Sequence, residues 1–294
     1  MEAFAYEAPD SLDAAVALLA DRMQAAVRTQ ILAGGTDMIV QLRSGDRSPR
    51  VIVDIKRIPE TRRIEFGPDG LLLGAAVSGA ELNARADVAA HYPGLVEAAD
   101  LIGSTQIQGR ASVGGNLCNA SPAGDTIPAL VANDAICLIA GPNGRREVPV
   151  AEFVVGVQRN QLKPGEFLVA LRLPPVQPRS ADAYLRFIPR TEMDIAVASA
   201  GVRLTMDGDG VCTAARVAIG AVATTVLQVP DAAAALIGSR VDEAVCQAAA
   251  EASSAAARPI SDKRGTESYR RKVVGVLTRR AVVIARDRAN GGKA

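Results

Sequence analysis

The chain has 294 residues, of which 49% are hydrophobic, and a mean hydropathy of +0.15, enough to bury a sizeable core divided into two or three compact units. Its 33 Lys and Arg face 32 Asp and Glu, a formal net charge of +1, so no global field draws it to nucleic acid or to an anionic membrane. The first residues, Met1-Glu2-Ala3-Phe4-Ala5-Tyr6-Glu7, carry acids where a signal peptide carries lysines, and no apolar run approaches the roughly 18 residues of a membrane span, so a cytoplasmic protein is expected.

Ser11 followed by Leu12, Ala15, Val16, Leu18 and Leu19 combines a helix cap with helical apolar spacing and predicts a first helix to about residue 21. A short strand at 31–33 ends in Gly34-Gly35, and Thr36-Asp37-Met38-Ile39-Val40 reads as the start of a helix. Strands are expected at 51–54, 64–66 and 71–74, the last two joined through Pro68-Asp69-Gly70. This alternation indicates an α/β unit. Ser78 with Glu81 fits a capping box, and another helix is expected at 93–102. Residues 103–128, rich in Gly, Ser, Asn and Pro, read as a long functional loop inside the domain. After the apolar strand at 168–173, Pro174-Pro175-Val176-Gln177-Pro178 cannot continue a sheet and marks the domain boundary. Beyond it lie a hairpin, 196–206 and 211–220 around Asp207-Gly208-Asp209-Gly210, and helices near 242–257 and 267–285.

Four scattered cysteines, Cys118, Cys137, Cys212 and Cys246, form no Cys-x-x-Cys pair, and His91 is the only histidine. Neither an iron–sulfur cluster nor a zinc site can be assembled from them, and histidine acid–base catalysis has little to draw on. Redox chemistry here therefore needs an organic cofactor, and any metal belongs to a partner.

Two diglycine segments stand out: Ala33-Gly34-Gly35-Thr36-Asp37, and Ala111-Ser112-Val113-Gly114-Gly115-Asn116. Glycine admits positive φ and removes the Cβ that would hold an anion away, so successive N–H groups can converge on phosphate oxygens. Thr36 adds a hydroxyl, and a helix beginning there points its positive end the same way. Each loop alone is equally consistent with a tight turn; two together could grip a diphosphate from both sides. The chain contains neither Gly-x-Gly-x-x-Gly after a strand nor a Walker-type loop, so another dinucleotide fold is required.

These segments, the second continuing Leu117-Cys118-Asn119-Ala120-Ser121-Pro122-Ala123-Gly124-Asp125, resemble the flavin motifs of the xanthine dehydrogenase and carbon monoxide dehydrogenase medium-subunit family. Similarity extends through Glu166-Phe167-Leu168, Met193-Asp194-Ile195-Ala196 and Arg264-Gly265-Thr266-Glu267-Ser268-Tyr269-Arg270-Arg271, covering nearly the whole chain. The resemblance implies an α+β fold: a two-part FAD-binding domain of the vanillyl-alcohol oxidase type at 1–175, with subdomains about 1–57 and 58–175, and an α+β C-terminal domain at 179–288. It places a pyrophosphate against Ala33, Gly34, Gly35, Thr36 and Asp37 on one side and Ser112, Gly114, Gly115 and Asn116 on the other. Asp125 would bond a sugar or ribityl hydroxyl, a role compatible with capping the helix that follows; Leu168 would contact a ring system; Arg186 would lie near the flavin, or else on a solvated surface. Ile102 stands where eukaryotic xanthine oxidases stack an aromatic ring, leaving Tyr184 as the aromatic candidate, its alternative being a core strand residue.

The resemblance further implies FAD in this chain, a molybdenum cofactor in a large subunit, two [2Fe-2S] clusters in a small subunit, and a dimer of heterotrimers passing electrons to NAD, a quinone, a cytochrome or oxygen. The cysteine-bearing insertion of benzoyl-CoA reductase relatives is missing, so no extra cluster is expected. Two rivals remain open: a stand-alone FAD oxidoreductase of the same fold, and a flavin-free interaction subunit. Cys118 reads as a packed thiol and His91 as a solvated helix-end residue. The run 258–288, with ten Lys or Arg against three Asp or Glu, reads either as a docking face or as a solvated helix side balancing acidic residues elsewhere.

Overall fold

A computed structural model describes residues 4–44 and 50–292. The N-terminal part opens with a three-stranded parallel sheet in the order Ala5–Glu7, Val51–Asp54, Thr29–Leu32. The central strand is buried along its whole length, as a parallel strand covered on both faces should be. The helix Leu12–Gln24 connects the first two strands in sequence; the Ser11 side chain accepts from Ala14 N at its start, and Leu12, Ala15 and Leu19 face the core.

A five-stranded antiparallel sheet follows, in the order Ile64–Gly67, Gly70–Gly74, Phe167–Leu173, Ile136–Gly141, Gly144–Pro149. One apolar core spans both sheets, joining Leu19, Val53 and Ile55 to Leu71, Leu73, Phe153 and Phe167. The capping box at Ser78 and Glu81 forms as the sequence predicts. The long loop expected at 103–128 is instead partly helical, with Thr105–Gln108, Val113–Cys118 and the start of Thr126–Ala132. Short helices of one or two turns have too few residues to show a 3.6-residue apolar period, so glycine and polar content dominated that reading.

The C-terminal part is a four-stranded antiparallel sheet, Ser180–Phe187, Ala198–Met206, Cys212–Gly220, Leu227–Gln228, with the helices Glu243–Ala256 and Glu267–Ala289 packed together and the longer one against the first two strands. It has its own core, including Val202, Leu204, Ile219, Cys246, Val274 and Leu277. Much of the basic run is balanced by acids from elsewhere in the chain, and part of it is exposed. Arg270 is buried and donates to Val197 O and Asp262, Arg264 pairs with Asp194, Arg279 with Glu243 and Arg288 with Glu97, while Arg271, Lys272 and Arg280 are exposed.

The seam between the two parts is polar and closed. Asp182 of the first C-terminal strand is buried and accepts from Gly94 N at 3.0 Å and from Asn133 Nδ2 at 2.6 Å, while Arg203 donates to Asn133 Oδ1 at 3.2 Å. Burial pushes the Asp182 carboxyl above its ordinary range; these donors and the Arg203 charge oppose the shift. Every buried polar atom of this group has a partner, which is what keeps a polar seam from being a liability.

Candidate functional site: a cleft between two glycine loops

The strand Thr29–Leu32 runs into Ala33-Gly34-Gly35 and then the helix Thr36–Ser44. Gly35 has φ of +81°, a backbone state that costs a side-chain-bearing residue energy. Lys56 fixes the loop from behind, donating from Nζ to Ala33 O at 2.9 Å and to Asp54 Oδ1 at 2.7 Å. Burial alone would raise the Asp54 carboxyl, but Lys56 and the Tyr6 hydroxyl, at 2.7 Å, outweigh it and hold the group below the usual carboxylate range. The second loop is fixed by Ser112, whose Oγ accepts from Gly115 N at 3.0 Å and so caps the helix Val113–Cys118.

The two loops face each other across a cleft of about 510 Å³. Their approach is set by missing side chains. A Cβ on Gly34 would sit 2.1 Å from Arg110 O, and one on Gly114 would sit 2.6 Å from Ala75 Cα. One wall carries Ala33, Gly34, Gly35, Thr36 and Asp37; the other carries Ser112, Gly114, Gly115 and Asn116; Ile102 and Leu168 add apolar surface beside the buried Phe167. The sequence thus predicted eleven residues that the fold brings to one cavity.

Asp125, Tyr184 and Arg186, the other three, do not line it. They make a buried cluster instead: Tyr184 Oη donates to Asp125 Oδ1 at 3.0 Å, and Arg186 Nη1 donates to Asp125 Oδ2 at 2.8 Å, with the Arg186 side chain 5% exposed. Tyr184 is a core residue, and Arg186 is buried, not solvated. Asp125 occupies the N-cap position of Thr126–Ala132, but its carboxylate does not cap. Asn116 does that work, accepting from Thr126 N at 3.2 Å and from Thr126 Oγ1 at 2.8 Å. The glycine loop, Asn116, Asp125 and the strand Ser180–Phe187 therefore form one hydrogen-bonded series from the cleft into the C-terminal sheet.

Sequence reasoning missed the polar end of the cleft: Thr29, Gln30, Gln41, Asn119, Gln158 and Asn160. Gln158 and Asn160 come from a small hairpin of Val154–Gly156 with Arg159–Asn160, whose turn lacks the usual glycine signal because Gln158 itself takes φ of +54°. Among the described residues no Lys or Arg lines the cavity, so an anion there meets their backbone N–H groups, not a salt bridge with them. Asp37 is the acid in the lining, and burial raises its carboxyl above the ordinary range. Cys118 also reaches the cavity, where burial pushes its thiol up to about 12, so it stays protonated at neutral pH. His91 is exposed at the end of Ala86–His91 and packs on Phe66, 4.5 Å between ring centroids. Among the described residues no group of three or more His, Cys, Asp or Glu could hold a metal ion, and no helix is long and apolar enough to cross a membrane.

Residues 2–176 match the family of the FAD binding domain in molybdopterin dehydrogenase, and residues 183–285 match the CO dehydrogenase flavoprotein C-terminal domain. The carbon monoxide dehydrogenase medium chain of Hydrogenophaga pseudoflava is 32% identical over 279 residues, 95% of this chain and 96% of that one. The xanthine dehydrogenase FAD-binding subunit of Escherichia coli O157:H7 is 30% identical over 289 residues, 97% of each chain. In structure, the chain is similar to reconstituted CO dehydrogenase from Oligotropha carboxidovorans, with a TM-score of 0.90 at 32% identity, covering 98% of this chain and 99% of that one.

Proposed function

Since the chain belongs to the family of FAD-binding subunits of molybdopterin dehydrogenases, we propose that the cleft between its two glycine loops holds FAD and that the protein relays electrons within a larger oxidoreductase. The observation that carries this reading is the pairing of Gly34 and Gly114 across one cavity, each at a backbone approach that a Cβ would fill. The residues present fit the group. The first turn of Thr36–Ser44 and the Thr36 hydroxyl offer donors to a diphosphate, with Ser112 to Asn116 opposite. Ile102, Phe167 and Leu168 give an apolar wall suited to a ring system, and the Gln158 and Asn160 carboxamides at the other end suit a neutral nucleoside.

FAD, when bound, supplies the exchange between one-electron and two-electron carriers. The chain's own residues bind and orient it: Lys56 and Ser112 fix the loops, and the protonated Cys118 thiol is no nucleophile at neutral pH. Substrate oxidation then belongs to a large subunit with a molybdenum cofactor, and delivery of electrons to a small subunit with two [2Fe-2S] clusters. This fits a chain whose four cysteines are all free and scattered. A dimer of heterotrimers, with NAD, a quinone, a cytochrome or oxygen as final acceptor, completes the reading.

The test is purification of the chain alone and after co-expression with candidate large and small subunits. Expected is FAD in both preparations, with iron, molybdenum and substrate oxidation present only in the complex. A chain that oxidises an organic substrate unaided would overturn the division of labour and favour a stand-alone oxidoreductase.

A further inference from the structure

At the polar end of the cleft the side chains are bonded first to one another. Arg50, 7% exposed, donates from Nη1 to Gln30 Oε1 at 3.1 Å. Gln30 Nε2 donates to Gln41 Oε1 at 3.2 Å, and Gln41 Nε2 donates to Asn119 Oδ1 at 3.1 Å. The row has one direction, each glutamine accepting from one neighbour and donating to the next and Asn119 accepting at its end, an arrangement in which the bonds polarise one another. It also crosses the molecule. Gln30 lies on the strand Thr29–Leu32 and Gln41 on the helix Thr36–Ser44, either side of the first glycine loop; Asn119 is the C-cap of Val113–Cys118, the helix that grows from the second. All three line the cavity.

The two walls also meet at Gly34, where backbone packs against Arg110 and Ala111. That contact is between main chains and cannot yield without moving a loop. The amide row is made of partly exposed and exposed side chains, which exchange partners with water at little cost. Of the two ties across the cleft, the row is the one able to open.

Resting on the FAD reading above, we propose that Gln30, Gln41 and Asn119 form a strap across the cleft, with Gln41 as its middle link, which must part for the dinucleotide to enter or leave. A strap differs from a ligand contact in kinetics. It holds the cleft shut with or without cofactor, so its loss speeds both directions and leaves the equilibrium nearly unchanged. A residue whose main role is to bond the ligand affects release and affinity together.

The experiment is stopped-flow measurement of FAD uptake by the cofactor-stripped full chain, and of FAD release from the loaded chain, for wild type, Gln41→Ala, Gln41→Met and Asn119→Ala. Gln41 is exposed on its helix, and both replacements are good helix formers, so the fold is retained. Expected is a rise of about three- to tenfold in both rates for each variant, the rate equivalent of one or two net hydrogen bonds, with Kd changed less than about threefold. Gln41→Ala combined with Asn119→Ala should add little to either alone, because both break the Gln41–Asn119 link that joins the two walls. Faster release with unchanged uptake would make Gln41 a ligand contact and overturn the strap, as would two unchanged rates. A wild-type chain that takes up no FAD overturns the FAD reading together with the strap.

Discussion

Replacing Gly34 with alanine should abolish stable FAD binding. The added Cβ would lie 2.1 Å from Arg110 O and 2.7 Å from Arg110 C, both main-chain atoms, so no side-chain rotation relieves the clash. The first glycine loop must move away from the second, and the two rows of N–H donors no longer address the same diphosphate. The strain is of the order of 1–3 kcal/mol, and the lost alignment of donors adds to it, so the affinity for FAD should fall by about 100-fold or more. Gly114→Ala, with a Cβ 2.6 Å from Ala75 Cα and Ala75 O, should behave alike from the opposite wall. Gly208→Ala, where an added Cβ meets nothing within 4 Å, is the matched control and should bind FAD as wild type does. Isothermal titration with FAD checks all three; Gly34→Ala binding within about threefold of wild type would show that the loop is no cradle.

The second large effect is on stability. Arg186→Met leaves the Asp125 carboxylate buried beside Tyr184 without its counter-charge, a change of the class that costs about 3–5 kcal/mol. The pH dependence follows from Asp125. Burial raises its carboxyl to about 6, against the Arg186 charge and the hydrogen bonds from Tyr184 and Arg186. A carboxyl with a folded value above its unfolded one contributes stability that is full below the unfolded value, near 4, and lost as pH rises through 6. In the wild type this group therefore weakens the fold between about pH 4 and 6, by at most about 3 kcal/mol. In Arg186→Met the lowering influence of the guanidinium is gone, so the carboxyl rises further and the deficit against wild type should grow from pH 5 to pH 7.5. Urea unfolding at the two pH values measures it, and Arg186→Met with Asp125→Asn should recover much of the loss because no charge is left buried. A single variant within about 1 kcal/mol of wild type at pH 7.5 would mean that the cluster is relaxed by water.

The same cluster shows where sequence reasoning stops. The glycine loops were legible because each is local: two glycines and a helix start lie within a few residues, and the fold only had to bring two such units together. Caps and turns were legible for the same reason, as at Ser11, Ser78 and Asp207 to Gly210. Asp125, Tyr184 and Arg186 were recognised as important, but their partners lie 59 and 61 residues away in sequence, and no pattern of residue types states that they bond one another. The carboxamide end was missed because Gln30 and Gln41 lie outside any motif and Asn119 was given no role within its own; only the pairing of a strand, a helix and a helix end puts them in a row. That acids elsewhere balance the basic run at 258–288 was one of its two readings, but only the fold names them, Asp194 for Arg264 and Glu97 for Arg288.

The proposed cofactor cleft is thus shaped by both local and distant interactions. Backbone geometry at Gly34 and Gly114 shapes the cleft, while Asn116 hands the second loop on to Thr126, Asp125 and the C-terminal strand Ser180–Phe187. The C-terminal domain supports that loop although none of its described residues lines the cavity.

The most direct test is the visible absorption spectrum of the purified chain, with the cofactor released by heat and identified by chromatography. The account predicts a flavin spectrum, one FAD per chain released intact, and its loss in Gly34→Ala but not in Gly208→Ala. A colourless wild-type chain that cannot be reconstituted with FAD would contradict it and leave the fold as an interaction subunit.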